Sequence, residues 1–231
     1  LILCYNKINN KKYNKQITTI KTFLFSKINE LEPKFEKGEV LISLIYTNKN
    51  NSENTLFLKQ IKNMYNSINN NPKNNIDDIF ELNWHCKFVY HLHLNNINYN
   101  SNYPQILTLK ILKLLKQTQN KEDLETNYIA VFFESLSSIV YLNKNNIDIK
   151  NNILYLFFLL MKRYKDSLFY FKNNISRLDI TGHVLDGIDA LKTKNKYKTK
   201  NKYKNKKNNY KYKNKYKNKN KTKNKKKSLI N

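Results

Sequence analysis

The chain has little cysteine, glycine or proline. Its 231 residues include two cysteines, Cys4 and Cys86, with three glycines and three prolines. Two cysteines in a chain of this length do not make a disulfide framework, and this content favours a reducing, intracellular compartment. Asn and Lys are abundant instead, as expected when an AT-rich genome biases codon usage.

Long apolar runs are also lacking. The longest, Ile153 to Met161, has nine residues, whereas a membrane-spanning helix needs roughly 20. It predicts a helix buried on all sides, or an outer helix between neighbours. The first five residues are too short for the apolar region of a signal peptide. Because the chain begins with leucine, we expect N-terminal sequence to be missing and residues 1–50 to form a poorly defined segment.

Charge is divided unevenly along the chain. Of 43 Lys and Arg, 19 lie in residues 192–231, which contain no Asp or Glu. With all 17 acidic residues in the body, its net charge is 24 − 17 = +7, against +19 for the tail. The length allows one ordinary domain plus this appendage. The overall basicity therefore describes the tail more than the body.

The tail opens with the repeat KTKNKY, from Lys192 and again from Lys198. It carries too little apolar surface to offset chain entropy, so we expect disorder. Dense lysine can neutralise phosphates while tyrosine rings stack on bases, which favours binding of RNA or single-stranded DNA. Alternatively, the repeat arose by slippage and binds polyanions through charge alone. The candidate nucleic-acid-binding residues are Lys198, Lys202, Tyr203, Lys211, Tyr212 and Lys215.

Apolar periodicity predicts a helical body over residues 51–191. In the first half it indicates a helix near 58–68 and another opening at Asp77 and Asp78, although the segment FVYHLHL also permits a strand. Val40 to Tyr46 fits either a strand or a helix, and Glu30 to Glu39 is interpreted as a connection. In the second half we predict four helices joined by loops of five to eleven residues, over 104–117, 123–142, 152–165 and 177–191.

Two of these helices resemble each other. When Thr126 is aligned with Thr181, Glu134 falls on Asp189, an offset of 181 − 126 = 55 residues. A fixed offset predicts a repeated helical hairpin. The earlier helix is predicted to be capped by Asp123 and to be enclosed, and the later one to begin with a Ser176 capping box.

The segments Asp123–Tyr128 and Leu178–His183 resemble the inner-helix starts of α/α toroids, as in six-hairpin glycosidases, terpene cyclases and prenyltransferases. The Gln-Trp motifs of the cyclases are absent, and the zinc ligands of the protein prenyltransferases cannot be placed in this sequence. The resemblance implies an all-α fold of antiparallel α-hairpins stacked as a partial toroid or solenoid. It also implies a mouth at the inner-helix starts that takes a carbohydrate or isoprenoid ligand.

Three residues at this implied mouth are the catalytic candidates. Asp179 and His183 are four residues apart, so the carboxylate could orient the imidazole, or could merely cap the helix and pair with it. Glu125 and Asp179 could form the carboxylate pair of a glycosidase. The predicted ligand-binding residues at the same mouth are Trp84, His85, Asn127, Tyr128 and Thr181.

Two further features favour ordinary packing. Three of the four histidines lie within Trp84–His93, but their spacing matches no established zinc motif, so we predict neither a metal nor a cofactor. Gly182 suggests close approach of another helix or a ligand, with close packing preferred. Two functions therefore stay open: a helical-hairpin domain with a ligand-binding or catalytic mouth, or a non-enzymatic module that binds RNA or another polyanion mainly through its tail.

Overall fold

The computed structural model describes residues 14–31, 35–47, 55–70, 72, 74–118, 120–143, 146–165, 168–169 and 178–192. Residues 1–188 belong to one compact unit, and residues 189–231 belong to a second, of which only 189–192 are described. The described residues contain eight α-helices and one antiparallel hairpin. Its strands, β1 (Tyr164–Lys165) and β2 (Leu168–Phe169), have two residues each. The helices are α1 (Asn14–Lys27), α2 (Phe35–Thr47), α3 (Thr55–Asn70), α4 (Asp78–Leu94), α5 (Tyr103–Gln117), α6 (Thr126–Ile139), α7 (Ile147–Lys162) and α8 (178–192).

Helices α4 and α6 run parallel. At their starts the Phe80 and Tyr128 rings lie 5.3 Å apart, and at their ends Tyr90 and His93 both contact Tyr141, just after α6. Since starts meet starts and ends meet ends, the chain must turn back between them through α5.

Helix α2 extends this parallel row. A Cβ at Gly38, near the start of α2, would lie 3.8 Å from the Cβ of Trp84 in the first half of α4. Near the opposite ends, the Tyr46 hydroxyl is 2.6 Å from Nδ1 of His91. Along the row of α2, α4 and α6, contacting residues lie 45 positions apart for Tyr46 and His91 and 51 apart for Asn83 and Glu134. Both separations are slightly less than the offset of 55 expected from the sequence.

The odd-numbered helices α5 and α7 run against α6. Asn143, just after α6, donates a hydrogen bond of 2.9 Å to Thr108 in the first half of α5. The guanidinium of Arg163, just after α7, donates to the backbone oxygen of Leu124 at 2.6 Å and contacts the Thr126 hydroxyl at the start of α6. The all-α architecture of stacked antiparallel hairpins is thus confirmed, while closure into a toroid stays a prediction.

Helix α6 forms the centre of the core. Every residue from Ile129 to Val140 is buried, as the apolar residues on both sides of this segment predict. Helix α7 differs, because Ile149, Leu156 and Leu160 are buried on one face whereas the opposite face is exposed. The nine-residue apolar run is therefore covered on one face only.

Several predicted boundaries were wrong. The segment Val40 to Tyr46 is helical, and its helix already begins at Phe35, so Gly38 lies within α2 rather than in a connection. Helix α6 begins at Thr126 instead of Asp123, because Asn120 caps a separate 3-10 turn at Lys121–Asp123. The segment FVYHLHL lies in α4, which confirms the helix over the strand.

Helix α7 starts five residues earlier than predicted, because the Asn146 side chain caps it there. Its Oδ1 accepts a hydrogen bond of 3.2 Å from the backbone amide of Ile149. Ser176 and the whole segment 193–231, including the six candidate nucleic-acid-binding residues, lie outside the described residues. None of the described helices is both long and apolar enough to cross a bilayer.

Candidate functional site

A buried carboxylate lies at the middle of the central helix. Glu134 is the only charged residue of α6, and its side chain is 1% exposed. A lone carboxylate in such a place would lose several kcal/mol of hydration, so it requires partners. Those partners come from α4 on one side and α8 on the other.

The α4 side provides an amide and an ammonium group. Asn83 donates from Nδ2 to Oε2 of Glu134 at 2.6 Å, and Lys87 Nζ lies 2.9 Å from Oε1. The Ser135 hydroxyl lies 2.9 Å from Oδ1 of Asn83 and holds that amide in orientation. Because Asn83 and Lys87 are four residues apart on one helix face, both reach the same carboxylate.

The α8 side provides an imidazole and a second carboxylate. Nδ1 of His183 is 2.7 Å from Oε2 of Glu134, and Asp186 accepts from Lys87 at 2.9 Å. Lys87 therefore bridges two carboxylates, and its Nζ also lies 4.9 Å from the centre of the Trp84 ring. We define Asn83, Lys87, Glu134, Ser135, His183 and Asp186 as the Glu134 cluster.

A glycine allows α8 to come this close. A Cβ at Gly187 would lie 2.6 Å from the Phe133 ring and 3.2 Å from the Glu134 Cα. Only hydrogen fits there, because both distances are shorter than van der Waals contact. Gly182, for which close packing was predicted, instead faces open space with no atom within 4 Å of a Cβ. The predicted close helix contact exists, but at the next glycine along the helix.

The electrostatics of the cluster follow from burial and pairing. Burial by itself would raise the pKa of Glu134, but hydrogen bonding to His183 and the charge of Lys87 outweigh it and lower that pKa. Burial would likewise lower the pKa of Lys87, whereas Glu134 and Asp186 raise it on balance. Both shifts favour the ionised forms, so the pair is charged at neutral pH. Burial, followed by the Glu134 charge, raises the pKa of the adjacent Cys86 thiol well above its ordinary value.

The exposed part of the cluster defines what it could do chemically. His183 is 29% exposed and Lys87 is 19% exposed, so water reaches the cluster from their side. A carboxylate that binds Nδ1 of a partly exposed imidazole is the arrangement of an oriented general base. All groups of the cluster nevertheless bind one another, which is also how a buried charge holds helices together.

The predicted mouth residues on α6 lie at a different level. Glu125 precedes α6 and makes no side-chain cap hydrogen bond, and the Asn127 side chain accepts from the backbone of Tyr128 at 2.9 Å. The Tyr128 hydroxyl donates to Asp77, which raises the pKa of Tyr128 to about 12. Nine residues separate Glu125 from Glu134, and therefore about 13 Å of helix rise.

The predicted residues on α8 are divided in the same way. His183 belongs to the Glu134 cluster, with Glu134 rather than Asp179 at its Nδ1. Asp179 is exposed near the start of α8. Thr181 is half-buried, and its hydroxyl makes no hydrogen bond.

The two ligand-binding candidates on α4 face different neighbours. His85 is fully buried, with Nδ1 2.5 Å from the Tyr103 hydroxyl of α5. Trp84 is half-buried and lies next to Lys87, at the edge of the Glu134 cluster. The structure thus places Trp84 beside the cluster that contains His183, and it places His85 in the core between α4 and α5. The roles of these residues stay predictions.

A surface depression lies at the other end of the helices. Its volume is about 500 Å³, and it is lined by the α4–α5 loop together with His93 and Tyr141 at the ends of α4 and α6. A depression of about 410 Å³ lies between Lys121 and Tyr155. Neither is lined by the Glu134 cluster, and no set of three metal-ligating side chains occurs among the described residues.

Sequence reasoning missed five of the six residues of the cluster as members of a site: Asn83, Lys87, Glu134, Ser135 and Asp186. The available signal was Glu134 as the one charged residue between Thr126 and Leu142, in a helix predicted to be enclosed. Such a charge is almost never buried without a partner. Helix periodicity could also have placed Asn83 and Lys87 on one face, but it does not say which face meets α6.

The chain was compared with known proteins at three levels. No protein-family model matches it, and neither the curated proteins nor the solved structures include a significant match. The features that indicate its function are therefore the basic composition of residues 192–231, the helical-hairpin architecture and the Glu134 cluster.

Proposed function

We propose that the protein is a non-enzymatic α-hairpin module that binds nucleic acid or a related polyanion, with residues 192–231 as its main contact. The observation that carries this proposal is the charge of that segment, 19 lysines without one acidic residue. Each lysine that meets a phosphate releases a counterion, and the interspersed tyrosines offer rings for base stacking.

The geometry of the body supports a non-enzymatic module. The catalytic candidates are separated, because Glu125 lies at the start of α6 whereas His183 contacts Glu134 in its middle. The charged groups of the Glu134 cluster pair with one another. Stacked hairpins of this kind commonly serve as binding scaffolds. The basic segment begins at Lys192, where α8 ends.

The experiment is fluorescence anisotropy with a uridine-rich single-stranded RNA, comparing the full chain with a chain that ends at Leu191. We expect the shortened chain to bind at least about 100-fold more weakly, because phosphate neutralisation supplies most non-specific affinity. Replacing Lys198, Lys202, Lys211 and Lys215 by Asn should reduce the slope of log affinity against log salt by about 3, at about 0.7 per phosphate contact.

Tyrosine variants separate nucleic-acid binding from simple charge attraction. Tyr203→Leu with Tyr212→Leu should weaken RNA binding by about 10-fold or more while leaving the salt slope unchanged, since stacking is worth about 1–3 kcal/mol per base. Heparin has no bases, so its affinity should not change. Equal binding of RNA by the full and shortened chains would contradict the proposal, and equal loss for RNA and heparin in the tyrosine variant would contradict base stacking.

One observation favours a second function, a ligand-binding or catalytic site at the Glu134 cluster. It is the partly exposed His183 imidazole held by a buried carboxylate. The resemblance to toroid enzymes makes glycans and prenyl diphosphates the probes to use. Stabilisation of the full chain by one of these probes in a thermal-shift assay, lost in His183→Gln, would support this function. If neither class of probe changes the melting temperature, polyanion binding is the one of the two functions that stays supported.

A further inference from the structure

Helix α7 exposes an apolar stripe on the face opposite its buried one. Ile147 is 67% exposed, Leu154 68%, Phe158 55% and Met161 45%. At about 100° per residue, all four lie on the face opposite the buried Ile149, Leu156 and Leu160. Single exposed apolar residues are common, but four on one helix face form a contiguous patch of the kind that marks an interaction site. We call these four residues the α7 stripe.

The spacing of the α7 stripe matches a coiled-coil seam. Ile147, Leu154 and Met161 recur every seven residues, and Phe158 lies four residues after Leu154. These positions fit d, d, d and a of a heptad, with Asn151 at the remaining a position. A repeat of 3.5 residues keeps one stripe in contact with a partner helix over the length of α7, which is about 24 Å for its 16 residues.

The charges beside the stripe suit an antiparallel second copy. Asp148, Tyr155 and Lys162 recur every seven residues along one flank of the stripe. In an antiparallel pair that crosses at Leu154, the flank with Asp148, Tyr155 and Lys162 on one helix faces the same flank on the other. Asp148 of each copy then meets Lys162 of the other, and Tyr155 meets Tyr155. A parallel pair would separate Asp148 from Lys162 by about 21 Å of helix rise.

We propose that the α7 stripe is a homodimer interface in which α7 packs antiparallel on α7 of a second copy, with the two-fold axis near Leu154. The partner surface is the stripe itself, as a two-fold interface requires. The stripe and its flanking side chains from both copies bury roughly 1,000 Å², at the low end for specific interfaces. The dimer therefore forms in the micromolar range and does not depend on the function of the basic tail.

The first test measures the mass of the full chain by sedimentation velocity after nuclease treatment, from about 1 to 200 μM. Leu154→Lys places charges at the two-fold axis and raises the dimer dissociation constant at least about 100-fold, because two buried leucines are lost per dimer. The matched control is Leu109→Lys, since Leu109 is a comparably exposed leucine, at 61%, on α5. This control leaves the dissociation constant unchanged.

Charge reversal tests the orientation. Asp148→Lys weakens the dimer by about 5- to 10-fold at about 0.1 M salt, and adding Lys162→Glu restores it. A parallel dimer gives no such rescue, because the two residues then lie at opposite ends of the pair.

Cross-linking tests the same geometry without relying on weakened variants. In a Cys4→Ser background, Leu154→Cys forms a disulfide-linked dimer under mild oxidation, whereas Ile147→Cys alone does not. When Ile147→Cys and Met161→Cys chains are mixed, each forms a disulfide with the other. Cross-linking of Ile147→Cys to itself would indicate a parallel pair and overturn the proposed packing.

Other outcomes identify other occupants of the stripe. A wild-type chain that stays monomeric to about 200 μM overturns the proposal. Protection of the stripe from hydrogen exchange in such a monomer would indicate that another segment of the same chain covers it. A dimer equally sensitive to Leu154→Lys and Leu109→Lys would indicate general association through exposed leucines.

Discussion

Replacement of Glu134 by glutamine tests whether one buried charge holds three helices together. The substitution keeps the size of the side chain and an oxygen that accepts from Asn83. It removes the charge that faces Lys87 at 2.9 Å and His183 at 2.7 Å. We therefore expect the loss of the electrostatic contribution with little change in packing.

The magnitude follows from burial and from the exposure of the partners. Removing one member of a fully buried ion pair costs about 3–5 kcal/mol, because the other charge stays buried. Here Lys87 is 19% and His183 29% exposed, so both can recover part of their hydration. We expect Glu134→Gln to lower the free energy of unfolding by about 2–3 kcal/mol at neutral pH. This corresponds to a decrease in Tm of about 5–10 °C for a folded unit of this size.

The assay is thermal and urea unfolding of the full chain, followed by far-UV circular dichroism. The control is Glu122→Gln, because Glu122 is 57% exposed and lies 3.9 Å from Lys162. Such a surface pair is worth less than about 1 kcal/mol. Equal stability of Glu134→Gln and wild type, or an equal loss in the control, would refute the argument that Glu134 couples the helices.

The pH dependence gives an independent check with a definite sign. The folded state lowers the pKa of Glu134 from its ordinary value of 4.5, so between the two values the unfolded chain binds more protons. The contribution of Glu134 is complete above about pH 4.5 and is lost as the pH falls through the folded pKa. The difference between wild type and Glu134→Gln should therefore be constant near neutral pH and should narrow in acid. A difference that grows in acid would contradict the assigned direction.

Two further predictions concern neighbours of this carboxylate. Gly187→Ala should lower the free energy of unfolding by about 1–2 kcal/mol, because a Cβ meets the Phe133 ring at 2.6 Å and overpacking outweighs the gain in helix propensity. Gly182→Ala, where a Cβ has open space, should instead raise it by about 0.5–1 kcal/mol; urea unfolding of both variants checks the pair, and a shift of the same sign in both would contradict it. In a Cys4→Ser chain, the Cys86 thiol should react with a thiol reagent only on unfolding, because burial raises its pKa, and fast reaction of the native chain would contradict that burial.

The regular patterns of the sequence predict most of the helices. Periodic apolar residues identify α3, α5 and α6, because a helix that buries one face needs an apolar residue every three or four positions. Short segments are ambiguous for the same reason, since Val40 to Tyr46 offers too few periods to separate helix from strand. Its helical state depends on packing of α2 against α4, which no local pattern contains.

The candidate site was less predictable than the helices. His183 was a candidate on the basis of Asp179 four residues earlier, yet the carboxylate at its Nδ1 is Glu134, 49 residues away in the chain. The offset of 55 aligned Glu134 with Asp189 as equivalent residues of a repeat. That alignment gives no reason to expect Glu134 to contact a different residue of α8, because it compares helices without giving the angle or register at which they pack.

The sequence by itself determined the all-α class, the positions of most helices and the separation of a mildly basic body from a strongly basic tail. These properties depend on local periodicity and composition, which each segment carries without reference to the others. The tertiary structure decided which faces meet: α8 approaches α6 at Gly187 rather than Gly182, and Glu134 becomes the buried partner of Lys87 and His183. Such contacts depend on the rotation and register of helices far apart in the chain, and these are fixed only when the core packs.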